Sequence, residues 1–79
     1  MATYLFNISL EPDGDGWRAF YAPLEHLGAS TWGTTEEEAT RNIQDALSMI
    51  VEEFAEEGKD LPLNEGLSLA KGRVVSVTL

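Results

Sequence analysis

The chain has 79 residues and a formal charge of −9, from 14 acidic against 5 basic side chains; a chain this short buries only about 60–65% of its unfolded surface, which excludes a second core and makes it one domain, 1–79. It has no cysteine and one histidine, which excludes disulfides, cysteine-built zinc sites and thiol chemistry. Its few Lys and Arg stand singly, so direct nucleic-acid binding and attachment to anionic membrane are both disfavoured. A basic protein partner fits the charge, because opposite potentials steer encounter, and plain solubility would also account for it. Residues 1–10 hold no basic stretch followed by a long apolar run, and no segment approaches the roughly 20 apolar residues of a bilayer span, so a cytoplasmic setting is expected.

From Thr3 to Glu11 the side chains alternate, Tyr4, Phe6, Ile8 and Leu10 against Leu5, Asn7 and Ser9, which predicts a half-buried strand. Pro12-Asp13-Gly14-Asp15 is turn chemistry, and Gly16 to Ala22 returns as a second strand that Pro23 ends. With an even-numbered loop, Phe6, Ile8 and Leu10 share a face with Trp17, Ala19 and Tyr21; an odd loop would break that match. Gly28 to Gly33 is read as a short third strand bounded by glycines.

Thr35 with Glu38 forms a capping box, after which Ala39, Ile43, Ala46, Leu47, Ile50 and Phe54 recur at helical spacing until Gly58 supplies the stop. Lys59 to Gly72 reads as a connector, and the β-branched run Arg73 to Leu79 as a last strand. The expected fold is α+β, β-β-β-α-β: an antiparallel three-stranded meander plus a fourth strand, with one helix packed on one face. The expected core sets Ile43, Leu47, Ile50 and Phe54 against Phe6, Ile8 and Trp17. One helix covers one face, so Leu5, Phe20 and Trp32 are left as candidates for an oligomer interface, with Trp32 divided between interface and core.

Four elements in order carry a family resemblance: Asp15-Gly16-Trp17; Pro23; Gly33-Thr34-Thr35-Glu36-Glu37-Glu38-Ala39; and Gly58-Lys59-Asp60-Leu61-Pro62. Together they resemble the HicB-like antitoxins, over most of the chain. The resemblance implies a partial ribonuclease H-like fold and a module that binds and neutralises a small basic mRNA-cleaving toxin of the HicA type. Thr34 stands where an Asp is common in the family. Full-length members continue into an operator-binding segment; here the expectation is the N-terminal module alone, with no DNA-binding domain. The alternative is a solitary oligomeric protein-binding or regulatory domain without a toxin partner.

Catalysis is not expected. Ribonuclease H-like enzymes converge carboxylates from the first strand, helix and fourth strand onto metals, whereas here the first strand has no acid before Glu11 and the last has none. Glu11, Asp13 and Asp15 imitate the opening of a calcium loop, but the twelfth position is Ala22, so neither metal nor cofactor is expected. His26 is read as a loop histidine. Glu36, Glu37 and Glu38 suit the positive end of the helix dipole. Glu52, Glu53, Glu56 and Glu57 oppose the negative end, and are read either as a solvated face or as a patch for a basic partner.

Overall fold

The structure is a computed structural model that describes residues 3–61 and 73–78. Four strands, β1 (Thr3–Asp13), β2 (Gly16–Phe20), β3 (Ser30–Gly33) and β4 (Arg73–Thr78), form one antiparallel sheet in the order β3-β2-β1-β4, and one long helix, α1 (Glu36–Glu57), packs on it. This is the expected β-β-β-α-β arrangement. The expected connector lies outside the described residues from Pro62 onward, as does Leu79.

The first hairpin is tighter than its sequence suggests. β1 runs on through Pro12 and Asp13, which pair with Trp17 and Gly16, so the turn shrinks to Gly14-Asp15 with Gly14 at φ +63°. A two-residue loop is even, and Leu10 duly stands opposite Ala19. The second strand is shorter than expected. It ends at Phe20, and Ala22–Leu27 winds into a 3-10 helix with Pro23 in its first turn, where the missing N–H costs nothing. That helix buries Leu24, and the backbone then returns through Ala29, whose carbonyl accepts from Tyr21 N–H at 3.0 Å.

β1 is shared between two partners along its length. Residues Thr3 to Ile8 pair with β4, and Ser9 to Asp13 pair with β2, so the sheet is two staggered halves joined by one strand.

The helix starts as its sequence dictates. Thr35 Oγ1 accepts from Glu38 N–H at 3.0 Å. The return arm of the box reaches one residue further back than expected: the Glu38 carboxylate accepts from Thr34 N–H at 2.6 Å and from the Thr34 hydroxyl at 2.7 Å. At the other end Gly58, at φ +71°, donates to Ala55 O, and Lys59 N–H donates to Phe54 O, closing a Schellman motif.

Ala39, Ile43, Leu47, Ile50 and Val51 are buried against Phe6, Ile8, Ala19, Tyr21, Val75 and Val77, with the Phe6 and Tyr21 rings edge to face at 5.0 Å. Trp17 and Phe54, expected at the centre, are only half-buried at its margin. Val51 takes the inner place instead. It lies seven residues from Gln44, whose Nε2 donates to Ser76 O at 2.6 Å, so both are on the flank of α1 turned to β4.

Candidate functional site

The face of the sheet away from α1 carries Leu5, Asn7, Ser9 and Glu11 from β1, Arg18 and Phe20 from β2, Trp32 from β3 and Val74 from β4, by the alternation and register of the strands. All three apolar residues picked out for oligomerisation are therefore on one face. They do not form one patch. Phe20 and Trp32 belong to the β2–β3 half, whereas Leu5 pairs opposite Ser76 in the β4 half, four residues along β1 from the Ser9 that faces Phe20, or about 13 Å.

The β2–β3 half partly covers itself. The Arg18 guanidinium stacks 4.0 Å from the centre of the half-buried Phe20 ring, pairs with Glu11 at 3.0 Å and with Glu25, and donates from Nε to Ser30 Oγ at 3.2 Å. Several ligands at once fix a side chain that a single exposed ion pair would leave mobile. Trp32 lies over Gly16: a Cβ there would come within 2.3 Å of both the indole and Gly33 O, so only glycine allows this approach. The indole Nε1 also donates to Asp13 O at 3.1 Å, tying β3 to the hairpin end. The expectation that Phe20 and Trp32 lack cover within the chain is thereby corrected in part: Arg18 covers the half-buried Phe20, whereas Trp32, though its indole rests on Gly16, stays 45% exposed. Leu5, 59% exposed, and Val74, 64% exposed, have no such cover, and Val74 is diagonal to Leu5 across the pair.

The acidic residues of α1 divide by end. Glu36 pairs with Arg73 at 3.0 Å and Glu38 closes the N-terminal cap. The Thr34 N–H and then the Thr34 hydroxyl hold the Glu38 carboxyl below its ordinary pKa against an opposing desolvation, with Arg41 adding least. At the far end Glu52, Glu53, Glu56 and Glu57 are all exposed; Lys59 pairs with Glu57 at 3.0 Å, and no described cation pairs with the other three. Lys59 reaches Glu57 from beyond the Gly58 cap, outside the helix itself.

A second apolar surface escaped the sequence reading. Ala46, Met49, Ile50 and Glu53, at helical spacing on one flank of α1, form a shallow groove with Leu27 and Gly28 at the end of the 3-10 helix. Met49 is 67% exposed and Leu27 48%. The signal available was Met49 itself, an apolar residue outside the Ile43-Leu47-Ile50 stripe, but its neighbour Leu27 comes from a segment with no periodicity to place it.

His26 is exposed on the 3-10 helix, and its neighbour Glu25 is engaged by Arg18. Glu11, the first of the calcium-loop imitation, is likewise bound to Arg18. Among the described residues no group of three His, Cys, Asp or Glu is placed to hold a metal ion, and no helix is long and apolar enough to cross a membrane. Compared with protein-family models, curated proteins and solved structures, the chain matches none.

Proposed function

We propose that the chain is a cytoplasmic HicB-like protein-binding module, an antitoxin that occupies and blocks a small basic toxin of the HicA type and itself associates into a homo-oligomer. The observation that carries this reading is the acidic end of α1. Glu56 sits in the terminal turn, where the helix dipole disfavours negative charge by about 0.3–1 kcal/mol, Glu52 and Glu53 sit one turn earlier, and no described cation pairs with any of the three. Exposed, uncompensated charge of one sign on a rigid helix steers a basic protein. The basic side chains support the same assignment from the other direction: Arg18, Lys59 and Arg73 are each bound to a carboxylate, which leaves them little to offer phosphate. Binding, not catalysis, is the role these surfaces suit.

Self-association is assigned to the β4 half of the open face. The exposed Leu5 and Val74 are bordered there by Thr3, Ser76 and Thr78, none of them charged, so two copies of a strongly acidic chain meet with least repulsion at this place.

The test is stopped-flow association with a small basic protein of the HicA type, across a salt series. Reversing Glu53 and Glu57 to Lys should leave the fold intact, slow association roughly tenfold at low salt and flatten the salt dependence. Unchanged rates and an unchanged salt slope would remove the acidic helix end from recognition.

A further inference from the structure

The groove between α1 and the 3-10 helix gives the proposed basic partner a second, chemically distinct means of attachment. Its floor is apolar and partly backbone: Ile50 is buried, and Gly28, which has no side chain, leaves the space between Leu27 and the helix open. Its walls are the exposed Leu27 and Met49. Its rim is anionic. Glu53 lines the groove, and around Met49 the helix places Asp45 four residues before and Glu52 and Glu53 three and four residues after, all exposed.

We propose that this groove receives an apolar side chain presented between lysines or arginines on an amphipathic basic segment of another protein. The proposal rests on the reading of the chain as a module for a basic partner and adds where, and through which side chain, that partner is gripped. Charge complementarity selects the occupant. A second copy of this chain would bring its own carboxylates against Asp45, Glu52 and Glu53, whereas flanking cations pair with them while the apolar side chain displaces water from Leu27, Ala46 and Met49. Methionine suits such a wall, since its unbranched, polarizable chain adapts to the shape that enters. The nearby cations do not close the site from within: Lys59 is paired with Glu57, and Arg41 lies eight residues before Met49 on α1.

The probe is a synthetic helical peptide of leucine and lysine with its leucines on one face, titrated into the isotopically labelled full chain and followed by amide and methionine-methyl NMR. Two control peptides replace every leucine by serine or every lysine by glutamate. Expected are shifts at Leu27, Gly28, Ala46, Met49 and Glu53, with affinity about tenfold weaker for the lysine–serine peptide and for the chain carrying Leu27→Ser and Met49→Ser. Both replaced side chains are exposed, so the variant should keep its fold, and its own spectrum checks this. Equal binding by the lysine–serine peptide, or shifts confined to Leu5 and Val74, overturns the groove and leaves the basic-partner reading standing. Equal binding by the leucine–glutamate peptide overturns the anionic selection. No binding by either basic peptide at low salt overturns both.

Discussion

The two halves of the open sheet face solve the same problem differently. Toward β2 and β3, one arginine gathers Glu11, Glu25, Ser30 and the Phe20 ring, and one indole lies down on a glycine, so that the chain itself covers much of the apolar surface and leaves Trp32 45% exposed. Toward β4, Leu5 and Val74 stand exposed among hydroxyls. An unburied face is therefore not one interface. The half with internal contacts already made is the less suited to hold a partner, which would have to displace some of them, and the bare half is where association gains most.

The largest effect is expected from testing the covered face of β1 against the bare one. Leu47→Ala opens a cavity against the buried strand residues and should cost about 2–5 kcal/mol, a large share of the stability of so small a domain, measured by urea denaturation. Leu5→Ser with Val74→Ser, on the bare half, should change the monomer by no more than about 1 kcal/mol while converting the oligomer to monomer by light scattering at micromolar concentration. If the wild-type chain is already a clean monomer, the bare half is simply solvated surface.

A smaller effect distinguishes the self-covered half. Gly16→Ala drives a methyl into the Trp32 indole and Gly33 O, and overpacking of this kind should cost about 1–3 kcal/mol. Trp32 emission should shift to the red as the ring lifts into water, measured in a Trp17→Phe background so that one tryptophan reports. An unshifted spectrum with full stability would mean that the indole is not seated on the glycine.

The sequence made the strands and the helix legible because each follows from local rules: alternation in β1, the Thr35 cap, the Ile43-Leu47-Ile50 stripe and the Gly58 stop. What it concealed depends on contacts between elements. Ala22–Leu27 is a 3-10 helix of only two turns, too short for any period to register, and so its Leu24, and Ala29 just beyond it, were missed from the core. Val51 is buried only because α1 presents a second flank to β4, a matter of docking angle and not of pattern. Phe54, in the last turn of the helix, packs at the margin of the core and stays half-buried, which is why Leu47 and not Phe54 carries the largest prediction. The candidate surfaces were half legible. Leu5, Phe20 and Trp32 could be assigned to a face, but that Arg18 covers Phe20 and that the Trp32 indole is seated on Gly16 could not, since the partners come from residues whose charge or smallness has many other uses.

The smallest effect concerns the cap where β3, the self-covered edge, turns into α1. Gly33 is pressed against the start of the helix, and the next two residues, Thr34 and Thr35, bind Glu38 from both sides. The Thr34 N–H, its hydroxyl and Arg41 all favour the ionised carboxylate, so Glu38 loses its proton more readily in the folded chain than in the unfolded one. The sign follows from linkage: a carboxyl with a depressed folded pKa contributes its full stabilisation above its unfolded value, about 4.3 for glutamate, and loses it as the pH falls through that value toward the folded one. Glu38→Gln keeps an acceptor oxygen but not the charge. The wild-type chain should therefore melt slightly above the variant at neutral pH, with the gap narrowing as the pH falls below the ordinary glutamate range. Thermal melts of the pair across that range check it, and because all other carboxyls are common to both proteins, the difference between the curves isolates Glu38. A gap that stays constant down to roughly pH 3 would mean that the carboxylate charge contributes nothing at this cap and that the amide oxygen alone serves Thr34 as well.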